Sequence, residues 1–193
     1  QAHMDDPNTP LEETLEAFAG LIRAGKVRAI GASNYGAARL AEALATSDRL
    51  GLPRYQSLQP LYNLSDRAAY EAELQPLCQR EGLGVLPYFS LASGFLTGKY
   101  RRADDLAGSA RGEIVKQHLN ERGLRILAAL DRVAADYAAS PARVAIAWLI
   151  AQPTVTAAIA SATSPAQLEE LVRATELKLD AAALALLDAA SAA

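Results

Sequence analysis

Residues 9–34 read TPLEETLEAFAGLIRAGKVRAIGASN, where a helical pattern is followed at once by a short apolar strand pattern. Thr9 predicts an N-cap, Pro10 suits the first helical position and Glu12 completes a capping box. Gly25 predicts the end of the helix. The apolar stripe recurs at helical spacing and consists of Leu11, Leu15, Phe18, Leu21 and Ile22. A helix that leads directly into an apolar strand is typical of an alternating α/β fold.

The same alternation of short apolar segments with helical patterns continues along the chain. Further strands are predicted over 84–90 and 154–162, and residues 55–63 are predicted as a strand that leaves into a loop. Further helices are predicted over 37–47, 66–80, 119–137, 142–152, 166–177 and 181–187. The intervening stretch 91–118 is predicted as a long loop. The pattern favours a parallel sheet covered by helices, either part of a (β/α)8 barrel or a small doubly wound sheet. No GxGxxG motif follows a predicted strand, which weakens the doubly wound interpretation.

The composition indicates a globular protein without extended basic or apolar segments. Hydrophobic residues make up 51% and charged residues 21%, with a formal net charge of −3. The mild acidity argues against nucleic-acid and membrane-surface partners, and no apolar stretch approaches the roughly 20 residues that span a bilayer. The single cysteine, Cys78, is typical of a reducing compartment. We therefore expect a cytoplasmic protein with one domain over residues 1–193.

Polar side chains gather where the predicted strands end. In chain order these are Ser33 and Asn34, then Gln59, then Tyr88, Ser90 and Ser93, then Ser161, Thr163 and Ser164. Each alone is more typical of a turn, a helix cap or core packing. Together, carboxamides, hydroxyls and one aromatic ring suit a planar polar ligand, and the helix start after Ser164 suits a phosphate.

Four ordered segments carry a family resemblance: IGASNY (30–35), LQPLYNL (58–64), PYFSLASGFLTGKY (87–100) and IASATSPAQLEE (159–170). The chain resembles aldo-keto reductases in these segments. The resemblance implies a (β/α)8 TIM-type barrel that transfers a hydride between NAD(P)H and an aldehyde or ketone without a metal. It begins at the end of the fourth barrel strand, which implies that this chain is the C-terminal half, strands 5–8 with their helices.

The resemblance also implies site residues. His3 in QAHMDD matches the family's catalytic histidine, whereas the Asp, Tyr and Lys of that set would lie upstream, so the chain alone is expected to be inactive. The residues implied for cofactor binding are Ser33, Asn34 and Gln59 at the carboxamide, Tyr88 on the nicotinamide ring, Phe89, Leu91, Ser93 and Leu96 at the pyrophosphate, and Ser161, Ala162, Thr163, Ser164, Gln167 and Glu170 on the adenosine side.

Two departures from the family pattern concern the cofactor. Residues 157–172 contain no Lys or Arg to meet a 2′-phosphate, and Leu171 stands where an Asn is common. The resemblance implies NADP, and these two departures leave the preference over NAD open. The alternative function is a non-catalytic cofactor-binding or regulatory subunit, for which the family has precedent.

The remaining expectations concern partners and single residues. A half-barrel would expose sheet edges and apolar faces, so we expect it to pair with the N-terminal half or with a second copy, besides binding a small carbonyl substrate. His118 is interpreted as a solvated loop residue, and Trp148 as a core anchor. Cys78 is interpreted as buried packing. Asp5 and Asp6 beside His3 form too weak a pattern for a metal, and none is expected.

Overall fold

The computed structural model describes residues 1–109 and 111–192. Contacts between Cα atoms divide the chain into two compact units. The first unit contains residues 1–60 and 69–86, and the second contains 61–68 and the chain from residue 87 onward. The single domain over 1–193 stays a prediction.

The first unit is built on a parallel three-stranded sheet in the order β1-β2-β3. Its strands are β1 (Ile30–Ser33), β2 (Tyr55–Gln59) and β3 (Gly84–Val85). Parallel pairing confirms the alternating α/β pattern of the sequence. Ala2 adds a parallel bridge to Ala32, with its N–H 2.8 Å from the carbonyl oxygen of Gly31. The segment that precedes His3 therefore lies along the β1 edge of the sheet.

Three helices pack in the first unit: α1 (Leu11–Arg23), α2 (Ala37–Leu50) and α3 (Gln75–Glu81). Residues 68–69 are α-helical and a π-helical turn, Tyr70–Leu74, leads into α3, so the helix predicted over 66–80 forms from Ala68 onward, with π-helical bonding in its middle. α1 contacts α2. The buried residues of α1 are Leu11, Leu15 and Ala19, and those of α2 include Leu40, Ala43 and Leu44.

The predicted capping box at the start of α1 was wrong. Pro10, with extended ψ of 138°, is the N-cap, and no side chain caps the helix. The Thr9 hydroxyl instead donates to Asp6 at 2.8 Å. The Glu12 carboxylate is engaged by Arg49 at 2.9 Å. Thr9 and Glu12 therefore bind Asp6 and Arg49 instead of capping the helix.

The second unit is mainly helical. Its helices are α4 (Gly112–Lys116), α5 (Glu121–Asp136), α6 (Pro141–Ile150), α7 (Pro165–Arg173) and α8 (Ala181–Ser191). The side chains of Asn120, Ser140, Ser164 and Asp180 cap α5, α6, α7 and α8 respectively. Among the described residues of both units, no helix is long and apolar enough to cross a membrane.

The prediction of a long loop over 91–118 was wrong, because much of this stretch is helical. Two short 3-10 helices, Ala92–Thr97 and Ala103–Leu106, and α4 occupy much of it. Phe95, Leu96 and Val115 are fully buried. Burial of these three side chains stabilises turns that the Gly-rich and Arg-rich sequence does not indicate.

The third and fourth predicted strands are shorter than expected. β3 ends at Val85, and the described residues 156–162 form no strand. A backbone hydrogen bond joins residues 156–162 to Pro87, from the Ile159 N–H to the Pro87 carbonyl oxygen at 2.9 Å. Pro87 has no N–H to return, so a continuous ladder cannot form at this position.

Cys78 is fully buried in α3, which confirms its interpretation as packing. Burial raises the pKa of its thiol to about 11. We therefore expect the native chain to resist thiol-specific aromatic disulfide reagents at about pH 8 and to react fully in denaturant, because the thiolate is the nucleophile. Rapid reaction of the folded chain, monitored by released chromophore, would contradict this placement.

Candidate functional site

In the first unit, four of the predicted site residues lie together at the carboxyl end of the sheet. Ser33 is buried, and its hydroxyl donates to the backbone carbonyl of Gln59 at 2.8 Å. The Asn34 amide donates to the Ser33 hydroxyl at 3.0 Å and to the His3 carbonyl at 2.9 Å. Asn34 has left-handed backbone (φ 57°), a conformation that Asn tolerates better than most residues. These bonds join the ends of β1 and β2 to the backbone of His3.

The loop after His3 is held by an arginine that the sequence pattern did not single out. Arg39 of α2 donates through Nε to both oxygens of Asp5, at 3.0 and 3.1 Å, and through Nη2 to the Thr9 carbonyl at 3.3 Å. The hydrogen bond to Asp5 is the main cause that raises the pKa of Arg39. His3 itself is exposed. Among the described residues, no group of three or more His, Cys, Asp or Glu side chains forms a possible metal site.

In the second unit, the predicted nicotinamide and pyrophosphate residues lie on a strained turn. The half-exposed Tyr88 ring meets the Phe89 ring edge-on at 5.3 Å. Burial, and secondarily the Asp66 carboxylate, raise the pKa of Tyr88. Left-handed backbone occurs at Phe89 (φ 53°), Ala92 (47°), Ser93 (56°) and Gly94 (99°). Non-glycine residues adopt this region at a cost, and such strain clusters at functional sites.

Two of the implied pyrophosphate residues cannot offer their side chains to a ligand. Leu96 is fully buried, and Ser93 is 8% exposed. Phe89, in contrast, is 46% exposed. The turn can therefore contact a ligand through its backbone and through the aromatic rings of Tyr88 and Phe89.

The last predicted motif is exposed and locally self-bonded. Ser161, Thr163, Ser164 and Gln167 are exposed, whereas Ala162 is partly buried. The Ser164 hydroxyl accepts from the Gln167 N–H at 3.3 Å. The Gln167 carbonyl oxygen accepts from the Thr163 N–H at 2.8 Å and from its hydroxyl at 3.0 Å. This reciprocal cap orders the entry to α7, a helix that buries none of its residues.

Glu170 is engaged within the protein. Its carboxylate accepts from the Ser140 hydroxyl at 2.5 Å and forms an ion pair with Arg143. The Ser140 bond, followed by the Arg143 bond, lowers the pKa of Glu170. Its implied adenosine role would require one of these partners to be shared or released.

The interpretation of His118 as a solvated residue was wrong. His118 is 8% exposed, and its ring stacks on Phe95 at 5.3 Å. Its Nε2 lies 3.9 Å from the Asp66 carboxylate. The polar flanking sequence hid this burial, because the aromatic partner lies 23 residues upstream.

Burial of the His118 ring makes stability depend on pH. Desolvation lowers the pKa of His118 below its ordinary value of 6.5, against an opposing effect of Asp66. Below pH 6.5 the unfolded chain takes up a proton that the folded chain resists, so stability is present above this pH and falls as pH falls. We expect the free energy of unfolding to decline between about pH 7.5 and 5.5, by at most about 1.4 kcal/mol per pH unit from this group.

Urea unfolding of the wild type and of His118→Gln, each measured at about pH 7.5 and about pH 5.5, checks this expectation. The variant is expected to lose that part of the decline, whereas His3→Gln, which alters the exposed histidine, keeps it. An unchanged pH dependence in His118→Gln would contradict the burial argument.

Comparison with known proteins decides the family. Residues 1–192 match the Aldo/keto reductase family. The chain belongs to this family. It is similar to a probable voltage-gated potassium channel subunit beta of Oryza sativa subsp. japonica, with 34% identity over 91% of this chain and 55% of that protein. It is also similar to the L-glyceraldehyde 3-phosphate reductase of Escherichia coli (strain K12), with 32% identity over 90% of this chain and 51% of that protein.

A solved aldo-keto reductase has the same α/β fold. The crystal structure of the thermostable aldo-keto reductase Tm1743 with epalrestat gives a TM-score of 0.76 at 30% identity. The match covers 97% of this chain and 57% of the other. The chain thus spans about half the length of the aldo-keto reductases it matches, and its fold is consistent with a TIM-type barrel.

Proposed function

We propose that this chain binds NAD(P)H and forms the cofactor-binding part of an enzyme that transfers a hydride between NAD(P)H and an aldehyde or ketone. The observation that carries the proposal is the strained turn after β3. Membership of the aldo-keto reductase family, whose enzymes use NAD(P)H, supports the choice of cofactor. When bound, the cofactor supplies the hydride.

The residues of the turn fit a dinucleotide with a planar ring and a pyrophosphate. The half-exposed Tyr88 ring offers an aromatic face for stacking. Phe89, Ala92, Ser93 and Gly94 have left-handed backbone, a conformation found in anion-binding nests, while the N–H groups of Ala92 and Gly94 donate within the turn to Phe89 and Leu91. The exposed Ser161, Thr163 and Ser164 at the start of α7 add hydroxyl groups and a helix N-terminus. The roles of Ser33, Asn34 and Gln59 at the carboxamide stay predictions from the family resemblance.

His3 is proposed to orient the carbonyl oxygen of the substrate by hydrogen bonding. By the family resemblance, the Asp, Tyr and Lys that would complete the catalytic set belong to the first half of the barrel. We therefore infer that the chain corresponds to strands 5–8 of the barrel and that it has negligible turnover by itself. Its coverage of 51% of the reductase and 57% of the solved structure is consistent with half of a barrel.

The choice between NADP and NAD depends on the 2′-phosphate. NADP is proposed, yet residues 157–172 contain no Lys or Arg, and Arg143 is already paired with Glu170. Charge-assisted hydrogen bonds contribute about 1.5–3 kcal/mol, so NADP preference is expected to be weak unless another cation reaches the phosphate. Titrations with NADPH and NADH compare the two dissociation constants directly.

A regulatory subunit is the second candidate function. The rice relative is named a probable potassium channel subunit, and the chain matches it as well as it matches the reductases. A subunit of this type would bind cofactor without turnover in any assembly. To distinguish the two candidates, a chain that supplies the Asp, Tyr and Lys residues is added and reductase activity is assayed. Activity of the mixture favours the enzyme, and continued absence of turnover favours the regulatory subunit.

We also propose that the chain pairs with the N-terminal half of the barrel or with a second copy. The apolar residues Leu168 and Val172 of α7 are 56% and 54% exposed. Such side chains on one face of a helix suit a protein partner. A cytoplasmic location and a small carbonyl substrate stay predictions.

The test of the proposed function is a titration of the purified chain with NADPH, followed by cofactor fluorescence, together with a turnover assay on a panel of aldehydes and ketones. We expect saturable binding and negligible turnover. Absence of binding by a folded chain would overturn the proposal, and turnover comparable to that of full-length aldo-keto reductases would overturn the inferred inactivity.

A further inference from the structure

The turn at Phe89 is fixed by hydrogen bonds to its own carbonyl group. The Phe89 carbonyl oxygen accepts from the Asn63 side-chain amide at 3.0 Å and from the Ala92 N–H at 2.7 Å. A carbonyl oxygen has two lone pairs, so this acceptor is saturated. The Ala92 bond closes the turn from within, and the Asn63 bond ties the peptide plane after Phe89 to a side chain outside the turn.

Asn63 is itself held rigidly. It is fully buried, and its side-chain carbonyl oxygen accepts from the Ser65 N–H at 2.8 Å and the Asp66 N–H at 2.9 Å. Its side-chain amide also donates to the Asp66 carboxylate at 3.0 Å. With both donors and both lone pairs engaged, the amide group has a single orientation, and that orientation points one proton at Phe89.

Ser90 provides a second tether on the other side of the turn. It is 2% exposed, and its hydroxyl donates to the Ile159 carbonyl at 2.8 Å. The backbone N–H of Ile159 in turn donates to the Pro87 carbonyl at 2.9 Å. This pair of bonds links the turn to the segment that leads into α7.

Stability alone does not account for this arrangement. Glycine adopts left-handed backbone at no steric cost, yet this position is occupied by Phe89, a residue that is 46% exposed. Two buried polar side chains are engaged to maintain a strained, exposed aromatic turn. Strain that is maintained in this way is typical of preorganised binding sites.

We propose that Asn63 and Ser90 are positioning residues, which hold the turn at Tyr88 and Phe89 in its cofactor-binding geometry before the ligand arrives. They act through the backbone of the turn and do not touch the ligand. This inference rests on the proposed binding of NAD(P)H by the same turn. It assigns roles to two side chains beyond the residues implied by the family resemblance.

The test compares Asn63→Ala and Ser90→Ala with matched controls in the same unit. Asn120→Ala removes an asparagine that caps α5, and Ser191→Ala removes a buried serine that donates to the Leu187 carbonyl. The readouts are the dissociation constant of NADPH and amide hydrogen exchange over residues 87–94 without ligand. Both are measured where circular dichroism shows that each variant is folded.

We expect Asn63→Ala and Ser90→Ala each to raise the dissociation constant about tenfold, as loss of supporting hydrogen bonds does at other sites. We also expect them to accelerate exchange in the turn. The controls are expected to change neither readout, even if they destabilise the chain equally. If Asn63→Ala does not fold, Ser90→Ala decides the question.

Unchanged NADPH affinity and unchanged exchange in the folded variants would overturn the positioning role. If the wild-type chain itself fails to bind NADPH, the proposed function fails. In that case the exchange data still show whether Asn63 and Ser90 hold the turn, so the two failures are distinguishable.

Discussion

Replacing Trp148 by alanine is expected to lower the free energy of unfolding by about 3–5 kcal/mol. Trp148 is the single tryptophan of the chain and is fully buried in α6. Its ring packs on Tyr62 at 5.7 Å and beneath the Arg67 guanidinium at 5.0 Å, and its indole N–H donates to Asp188 at 3.0 Å. The substitution leaves a cavity and removes one partner from a polar cluster.

Trp148→Phe separates packing from the hydrogen bond. The smaller ring keeps much of the buried surface but loses the donor to Asp188, which also accepts from Arg67 at 2.9 Å. We expect a loss of about 1–3 kcal/mol, less than that of the alanine variant. Urea unfolding followed by circular dichroism measures both variants. Equal stability of Trp148→Ala and wild type would show that Trp148 does not anchor the second unit.

Gly123→Ala is expected to destabilise the chain by about 3 kcal/mol. A Cβ atom added to Gly123 in α5 would lie 1.8 Å from the His118 carbonyl oxygen and 3.0 Å from the Phe95 ring. The carbonyl is backbone, so relief requires α5 or the turn before it to move. The gain in helix propensity from alanine, about 1 kcal/mol, is smaller than this cost.

Gly20→Ala is the matched control for the same substitution. Gly20 also lies inside a helix, α1, but the nearest atom to an added Cβ is Arg23 Nη2 at 3.9 Å. Here only the propensity gain operates, so we expect stabilisation by about 0.5–1 kcal/mol. Opposite signs for the two variants in thermal or urea unfolding are the expected result. Stabilisation by Gly123→Ala would contradict the close approach of α5 to His118.

Sequence periodicity predicted most of the helices and the first two strands, although α4 lies in a predicted loop. It overstated burial, because Leu21 of the α1 stripe is 38% exposed and α7 buries none of its residues. Leu11 and Leu15 of α1, and Trp148 of α6, are buried as their spacing predicts. Periodicity did not predict where strands stop. β3 and the segment near Ile159 are limited by Pro87, whose missing N–H affects a strand partner that is distant in sequence.

The candidate site was predictable by residue type but not by role. Ser33, Asn34 and Gln59 come together as expected of neighbouring parallel strand ends. The positions of Asn63 and Ser90 depend on contacts with Phe89 and Ile159, which no local pattern encodes. A buried asparagine within the apolar segment LQPLYNL was the one available signal, since such a group requires partners.

The most direct test of the account is amide hydrogen exchange of the wild-type chain with and without NADPH. The account predicts that the cofactor slows exchange over 88–96 and 161–167, with little change over α5 and α8 in the same unit. Protection confined to α5 and α8, or no protection in the presence of NADPH, would contradict the assignment of the strained turn as the cofactor site.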